Sequence, residues 1–556
     1  MKKVLTLSIL ILLLTVLSSC NNDITGEKTV DFKYSETDYN FKKDKVSLYF
    51  YDNTKYPYIS VSEFFNLMDG YYQTSLCQIE ENENNAIIKY EDYSITFDAS
   101  SDQIKGNPDL FSFHVENNNN YDYSYYLSSK EEYFGDENEY ITYDLAKYNI
   151  DIKTENNKVL VPLSIMNTLF NSSGYLNLYY TTDVVASTSI DSDINCRLNN
   201  KNTNTYYREL VYNEILFDLD YFYGLKEYKG INNFKDSISN TIKNEITSTN
   251  VLKNNQGYID LFAKYLNEGH TYISNFSLYN NGDVSNSYLT YSSFGTWYQD
   301  TILTYYSLNS SNEKSKMNYE IINPSTKESI RYSDDLAVIE LNSFKTGTKE
   351  ERNSSENYLY DSFYYVKYCL EKIDEKSNIK NVIIDLTRNG GGNLGSLIRV
   401  LGLITDKDIK TAVYDKVSNV YDVSVYQVDV DGDSIYDNDS YESKYTFYLM
   451  SSSYSYSCAN LACQIVKDNN ICKIIGEKSG GGMCAITPIV LPDGATIYIS
   501  SNTLLQGVVY NDSISFYNIE DGVDVDFNLS TNGYTNEYDR FYDDKMLSTL
   551  IKAYNA

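Results

Sequence analysis

Residues 445–482, YTFYLMSSSYSYSCANLACQIVKDNNICKIIGEKSGGG, decide how the chain is read. Tyr445–Met450 is a short apolar run that predicts a strand, and a serine-crowded loop carries it into a helix whose first turn begins at Ser457. Lys473–Ile475 predicts a second strand, and a glycine-rich turn closes the unit. A serine at a strand-to-helix junction has its hydroxyl exposed at the carboxyl edge of a sheet. The N–H groups of the first helical turn point into the same space, where the helix dipole favours negative charge. A nucleophile whose product is a tetrahedral oxyanion needs that arrangement. The loop also holds Ser451, Ser452, Ser453 and Ser455, so composition alone does not single out Ser457.

Outward from this segment, strands and helices alternate. Leu336–Leu341 and Val382–Leu386 predict strands, residues 359–373 and 393–404 predict helices, and 489–491 with 495–499 predict a hairpin around Pro492-Asp493-Gly494. The pattern implies an α/β core over 334–545 with right-handed crossovers and its chemistry at the carboxyl ends of strands. A second motif, VIIDLTRNGGG over 382–392, runs a buried strand into three glycines that open a helix. Without β-carbons, Gly391 or Gly392 can approach a substrate carbonyl and donate an N–H. No Gly-Lys-Ser/Thr follows, which disfavours a nucleotide-phosphate loop.

The chain has two histidines. His114 sits in a polar stretch that reads as surface. His270 sits at the turn Gly269-His270-Thr271, between a helix predicted over 258–266 and a strand predicted over 271–273. An imidazole at a sharp turn can be aimed, which makes His270 the better general base.

At 556 residues the chain has room for two to four domains. Lys2 and Lys3, an apolar run over 4–17 and Leu17-Ser18-Ser19-Cys20 read as an export signal over 1–20. The ending resembles a bacterial lipobox, which implies lipidation of Cys20 and a protein anchored in the cell membrane on its extracellular side; an ordinary secretory peptide is the alternative. Residues 21–38 read as a polar tether. A net charge of −31 repels phosphate backbones and disfavours nucleic-acid partners. The seven cysteines besides Cys20 form no disulfide framework or zinc-ligand spacing, so they read as free or buried thiols, with no metal and no cofactor. Asp429, Asp431, Asp433, Asp437 and Asp439 suggest calcium, yet Gly432 is misplaced for an EF-hand loop; a solvated acidic loop is the favoured reading.

Residues 39–195 suggest a duplicated α+β module, since 56–68 and 159–170 each read as a brief strand and then an amphipathic helix, with Ser60 and Glu63 as a capping box. This module resembles the copper-amine-oxidase N-terminal-like domain of bacterial surface proteins, without copper ligands. It reads as a spacer or partner-binding unit. Residues 205–333 read as a helical cap followed by a β segment that carries His270 into the site; within it 285–333 is short for a complete PDZ domain.

The Asp-Leu-x-Arg-Asn-Gly-Gly-Gly motif, the serine-rich loop into Ser-Cys-Ala-Asn and the Ile-Ile-Gly-Glu-Lys-Ser-Gly-Gly-Gly segment together resemble the tail-specific (C-terminal processing) and tricorn-core serine peptidases. The resemblance implies a ClpP/crotonase-like spiral and hydrolysis of peptides or proteins. The family's lysine-using branch places its base near Gly482, where this chain has no lysine; Lys478 comes too early. The tricorn-like branch takes its histidine from an Asp/Glu-Gly-His-Thr/Ser turn, similar to residues 268–271 here, which implies His270 as base. The same resemblance implies Glu520 as the acid that orients His270, with Asp521 a rival. Ser457 would then attack, and the N–H of Cys458 with that of Gly391 or Gly392 would hold the oxyanion, each donor contributing about 3 kcal/mol. Two alternatives share the sequence: a non-catalytic ligand- or peptide-binding protein on the same fold, and a surface adhesin led by the N-terminal module.

Overall fold

The computed structural model describes residues 26–34, 39–52, 54–112, 126–181, 184–188, 203–280, 291–314, 319–437, 439–510 and 513–555. The export signal, Cys20, His114 and Cys196 lie outside the described residues.

The segment quoted first forms one side of a seven-stranded sheet. Its spatial order is Tyr319–Asn323, Glu328–Ser333, Leu336–Glu340, Asn381–Asp385, Thr446–Ser451, Lys473–Gly476 and Phe527–Asn528. The last five strands run parallel to their neighbours, and the first two join as antiparallel hairpins. Leu336–Glu340 and Asn381–Asp385 are buried at every residue, because a parallel sheet is covered on both faces. Alternate side chains enter different cores. Ala337, Ile339, Val382, Ile384, Phe447 and Leu449 share a core with the helices Ser362–Asp374, Leu394–Gly402 and Cys458–Asp468. Leu336, Val338, Ile383, Tyr448 and Met450 pack instead with Leu308, Phe541, Leu547 and Ile551. The caps follow from sequence: the Asn393 side chain accepts from Ser396 N at 3.1 Å and that of Asp361 from Phe363 N at 3.0 Å. Asp361 starts its helix after Leu359, which lies in a separate 3₁₀ turn.

A second sheet is built on the long strand Thr496–Tyr510. Tyr272–Asn275, which follows His270, pairs with it, and so does Cys484–Val490, which follows the glycines 480–482. This sheet therefore brings the histidine turn to the Ser457 unit.

In the N-terminal half, the strands Tyr58–Ser60 and Lys158–Pro162 pair antiparallel, and each runs into a helix, Val61–Leu67 or Leu163–Phe170. They belong to a seven-stranded sheet, and a five-stranded meander stands beside it. Ser60 Oγ accepts from Glu63 N at 3.2 Å, but the Glu63 carboxylate turns to Lys43 Nζ and Ser47 N, so the capping box is half made.

Three segments depart from the sequence-based division. Gly26–Tyr34, assigned to the tether, is a strand between Lys45–Phe50 and Val184–Thr188; Val30 and Phe32 are its buried face, amid polar neighbours that masked the alternation. Leu127–Phe134, assigned to the N-terminal module, pairs with Val420–Val428 of the second sheet. Residues 319–333, assigned to the cap, begin the parallel core sheet, and the helix Asp544–Asn555 packs against it beyond residue 545. Among the described residues, no helix is long and apolar enough to cross a membrane.

Candidate active site

Ser457 stands at the head of the helix Cys458–Asp468, past the carboxyl end of the strand Thr446–Ser451, with φ 56° and ψ −123°. A non-glycine residue with positive φ is strained, and such strain collects at functional turns. Main-chain bonds hold the turn: Ser457 N donates to Gly481 O at 2.9 Å, and Tyr456 N to Asn389 O at 3.2 Å.

The loop's other hydroxyls are engaged. Ser451 donates to Glu477 O, Ser452 to Thr387 O, Ser453 to Glu477 Oε1 and Ser455 to Leu386 O, at 2.6–3.0 Å. The half-buried Ser457 hydroxyl alone among these has no hydrogen-bond partner among the described residues. The serines that crowd the loop are thus its scaffold, and Ser457 is what the scaffold presents.

The glycine loop closes over it. Gly391 has φ 114°, and a β-carbon there would stand 2.7 Å from Ser457 Cβ. Its N–H is donated to Asn389 Oδ1 at 2.8 Å, so in this geometry Gly391 is no free oxyanion donor. That corrects one of the two glycine candidates: the Asn389 side chain turns back to shape the loop and uses the N–H. The N–H groups of Gly392 and of Cys458, the first helical residue, have no partner among the described residues. The Cys458 thiol donates to Gly392 O at 3.0 Å, tying the two donor residues together. Burial pushes that thiol up to about 12, so it stays protonated. Asp385 of the same motif is structural: it pairs with the buried Arg331 at 3.2 Å and accepts from Thr387.

His270 is buried, and its imidazole meets the Tyr456 ring edge-on, with centroids 4.9 Å apart. Tyr456 also packs on Trp297, the chain's single tryptophan, at 5.1 Å. Gly269 allows this stack, since a β-carbon there would fall 2.4 Å from Trp297 and 2.7 Å from Tyr456. The imidazole therefore lies beside the residue that precedes Ser457, and no Ser457–His270 hydrogen bond is made. Burial lowers the His270 pKa to about 4, so at neutral pH the ring is an uncharged base. Its Nδ1 is buried without a partner.

Two acids flank it. Glu268 receives the His270 N–H at 2.6 Å, the Ser500 hydroxyl at 3.0 Å and the Thr271 hydroxyl. Burial raises its pKa, and those three donors oppose the rise. Glu520 accepts Met483 N at 2.8 Å and is raised to about 7, chiefly by burial and also by the charge of Glu268. Asp521, the rival acid, is exposed and receives the Tyr228 hydroxyl. Lys478 is exposed as well.

Sequence reasoning gave no role to Glu268, Ser500, Tyr456 or Asn389. Glu268 was legible as the acid of the turn motif. Ser500 lies 232 residues from it and carries no local signal. The acidic loop is a turn: Asp429 accepts from Gly432 N and Ser434 N, and Asp431 and Asp433 each cap an N–H two residues on. Asp429, Asp431 and Asp433 are the described carboxylates grouped closely enough to share a cation. The six described cysteines are free thiols.

Comparison with known proteins adds the family. The sequence profile of Peptidase family S41 matches residues 335–525, which carry Ser457, the glycine loop and Glu520 but not His270. No curated protein matches. Among solved structures, the chain is similar to the photosystem II D1 C-terminal processing protease, at 18% identity over 35% of this chain and 42% of that one, TM-score 0.25. It is similar to a lipoprotein from Streptococcus agalactiae, at 13% identity over 63% and 96%, TM-score 0.35. It is also similar to the tricorn protease, at 16% identity over 45% and 19%, TM-score 0.24. The chain thus spans less than half the length of the first and the last of these three. Residues 335–525, which carry the free serine at the head of its helix and the glycine loop pressed against it, match the profile of Peptidase family S41.

Proposed function

We propose that the protein is an exported endopeptidase that hydrolyses peptide bonds through an acyl-enzyme, with Ser457 as nucleophile and His270 as general base. The observation that carries this reading is the Ser457 turn: a strained serine whose hydroxyl is left without a partner while its neighbours are all engaged. His270, neutral at physiological pH, takes the hydroxyl proton as Ser457 attacks the carbonyl. The N–H groups of Cys458 and Gly392 receive the oxyanion. His270 then protonates the leaving amine, and water clears the acyl-enzyme. Glu520 supports the imidazolium that forms in between, and the partnerless Nδ1 of His270 is the atom through which it would act. Catalytic hydrogen bonds are often long without substrate and tighten in the complex; here the Ser457–His270 bond would form on substrate binding. Lipidation of Cys20 would hold the chain at the outer face of the membrane, with the N-terminal module as spacer, and Cys20→Ser is expected to release it into the medium.

A fluorophosphonate probe tests the nucleophile. Labelling of the protein and cleavage of a denatured protein substrate, both lost in Ser457→Ala, are the expected outcome. The second reading, a non-catalytic peptide-binding protein, is favoured by one observation: no hydrogen bond joins Ser457 and His270. It requires both proteins to remain unlabelled.

A further inference from the structure

We propose that the cleft between the N-terminal module and the second sheet is a peptide-binding site separate from the Ser457 site, taking an uncharged segment with apolar side chains. The cleft has a volume of about 240 Å³. Phe111, Tyr143 and Leu169 wall it from the N-terminal side, and Phe222 and Ile486 from the other. The aromatic wall is continuous: Tyr143 stacks on Phe222 with centroids 5.6 Å apart, and Phe111 meets Tyr143 edge-on at 5.3 Å. An engineered apolar cavity of about 150 Å³ holds a benzene ring, so this cleft has room for one large or two smaller apolar side chains. Pockets of this kind, apolar with a few convergent polar groups, gather at boundaries between units.

The polar groups fix the ligand's chemistry. No lysine, arginine or histidine lines the cleft, which offers an anion nothing. Its one acid, Asp415, already accepts Val417 N at 2.7 Å and Ser418 N at 3.4 Å through Oδ1. What remains is hydroxyl groups and main chain. The main chain is irregular there: the register of Cys484–Val490 against Thr496–Tyr510 breaks between Cys484 and Ile486. Ala485 on one strand and Ser501, Asn502 and Thr503 on the other fall out of register, and all four line the cleft. A bulge re-aims the backbone and is favoured next to active sites. Here the bulge lies beside an apolar wall, so a bound peptide would meet main chain as well as side chains. The walls are tied where they meet, by Tyr175 donating to Ile486 O at 2.6 Å and Thr487 donating to Ser172 O at 3.2 Å. The bulge also begins two residues past Met483, whose N–H holds Glu520, so the cleft and the peptidase site share one strand.

Calorimetric titration of the full chain carrying Ser457→Ala, which prevents turnover, with N-acetyl-Leu-Phe-Leu-amide tests this. Saturable one-site binding is expected, weakened at least tenfold by Ser173→Trp and by Thr503→Trp, which fill the cleft from opposite walls at exposed positions. Equal affinity in the three proteins would place the peptide elsewhere, and no binding at all would remove the site; either result overturns the proposal. N-acetyl-Glu-Glu-Glu-amide binding as tightly as the apolar peptide would overturn the chemical class. The measurement needs no catalysis, so its outcome stands whatever the fluorophosphonate probe reports.

Discussion

The Ser457 turn and the His270 turn sit side by side and are built differently. Main chain holds the proposed nucleophile: Ser457 N on Gly481 O, Tyr456 N on Asn389 O, and a glycine too close for any β-carbon. Side chains hold the proposed base: a buried carboxylate under the His270 N–H, with a threonine and a serine from a distant strand bonded to that carboxylate, and the edge of a tyrosine ring. Main-chain geometry has few soft degrees of freedom, whereas a side-chain cluster can repack by rotamer changes. The proposed nucleophile is held in place by main chain, and the proposed base packs against Tyr456. On the proposed mechanism, competence for the reaction rests on the His270 side.

The sharpest way to break this contrast is to remove the base. His270→Ala is expected to lower kcat by about 10⁶-fold while leaving the Ser457 turn intact, as loss of a triad base does. Turnover within tenfold of the parent would mean that another group takes the proton and that the histidine turn is only scaffold. Next in size is a lesion on the nucleophile side. In Gly391→Ala the new β-carbon meets Ser457 Cβ at 2.7 Å in a backbone at φ 114°. It should cost about 1–3 kcal/mol of stability and displace the nucleophile, lowering kcat by about 10²-fold. Thermal melting and single-turnover cleavage would read the two effects. An unchanged kcat would show the Ser457 turn to be as pliable as its neighbour.

The same contrast explains what the sequence made legible. The strand–turn–helix unit, the glycine loop and the parallel core follow from local patterns, because each is a run of apolar residues ended by glycine or a cap. His270 was legible because a glycine precedes it in a chain with one other histidine. The bond from Ser500 to Glu268 joins two strands only after the sheet has formed, and no local pattern encodes it. Nor could spacing show that Asn389 takes the Gly391 N–H, since that depends on one side-chain rotamer. The strand Gly26–Tyr34 was missed because charged residues on its open face outweigh two buried apolar ones in composition.

A smaller effect separates the two acids. Glu520 is raised to about 7 and His270 lowered to about 4. As pH rises through about 7, Glu520 gains the charge that supports an imidazolium, so kcat should rise across that limb. Glu520→Gln should lose the limb, plateau about tenfold lower, and keep only the fall near pH 4 where His270 is protonated. Stability runs the opposite way. The folded carboxyl keeps its proton longer than the unfolded one, so between its ordinary value of 4.5 and about 7 stability declines with rising pH, and the Gln variant should flatten that decline. A limb that survives in Glu520→Gln would hand the role to Glu268.

The smallest expected effect concerns Lys478, which stands in the segment where the family's other branch keeps its base. The side chain is exposed, and its neighbour Glu477 is engaged by Ser453 and Arg540. A general base must come within hydrogen-bond reach of the proton it takes, and no such bond joins Lys478 to Ser457. Lys478→Gln should therefore leave kcat within about twofold, the range of an ordinary surface change. A hundredfold loss would mean that this stretch folds back over Ser457 during the reaction, and the division between a fixed nucleophile and an adjustable histidine would give way to an adjustable lysine.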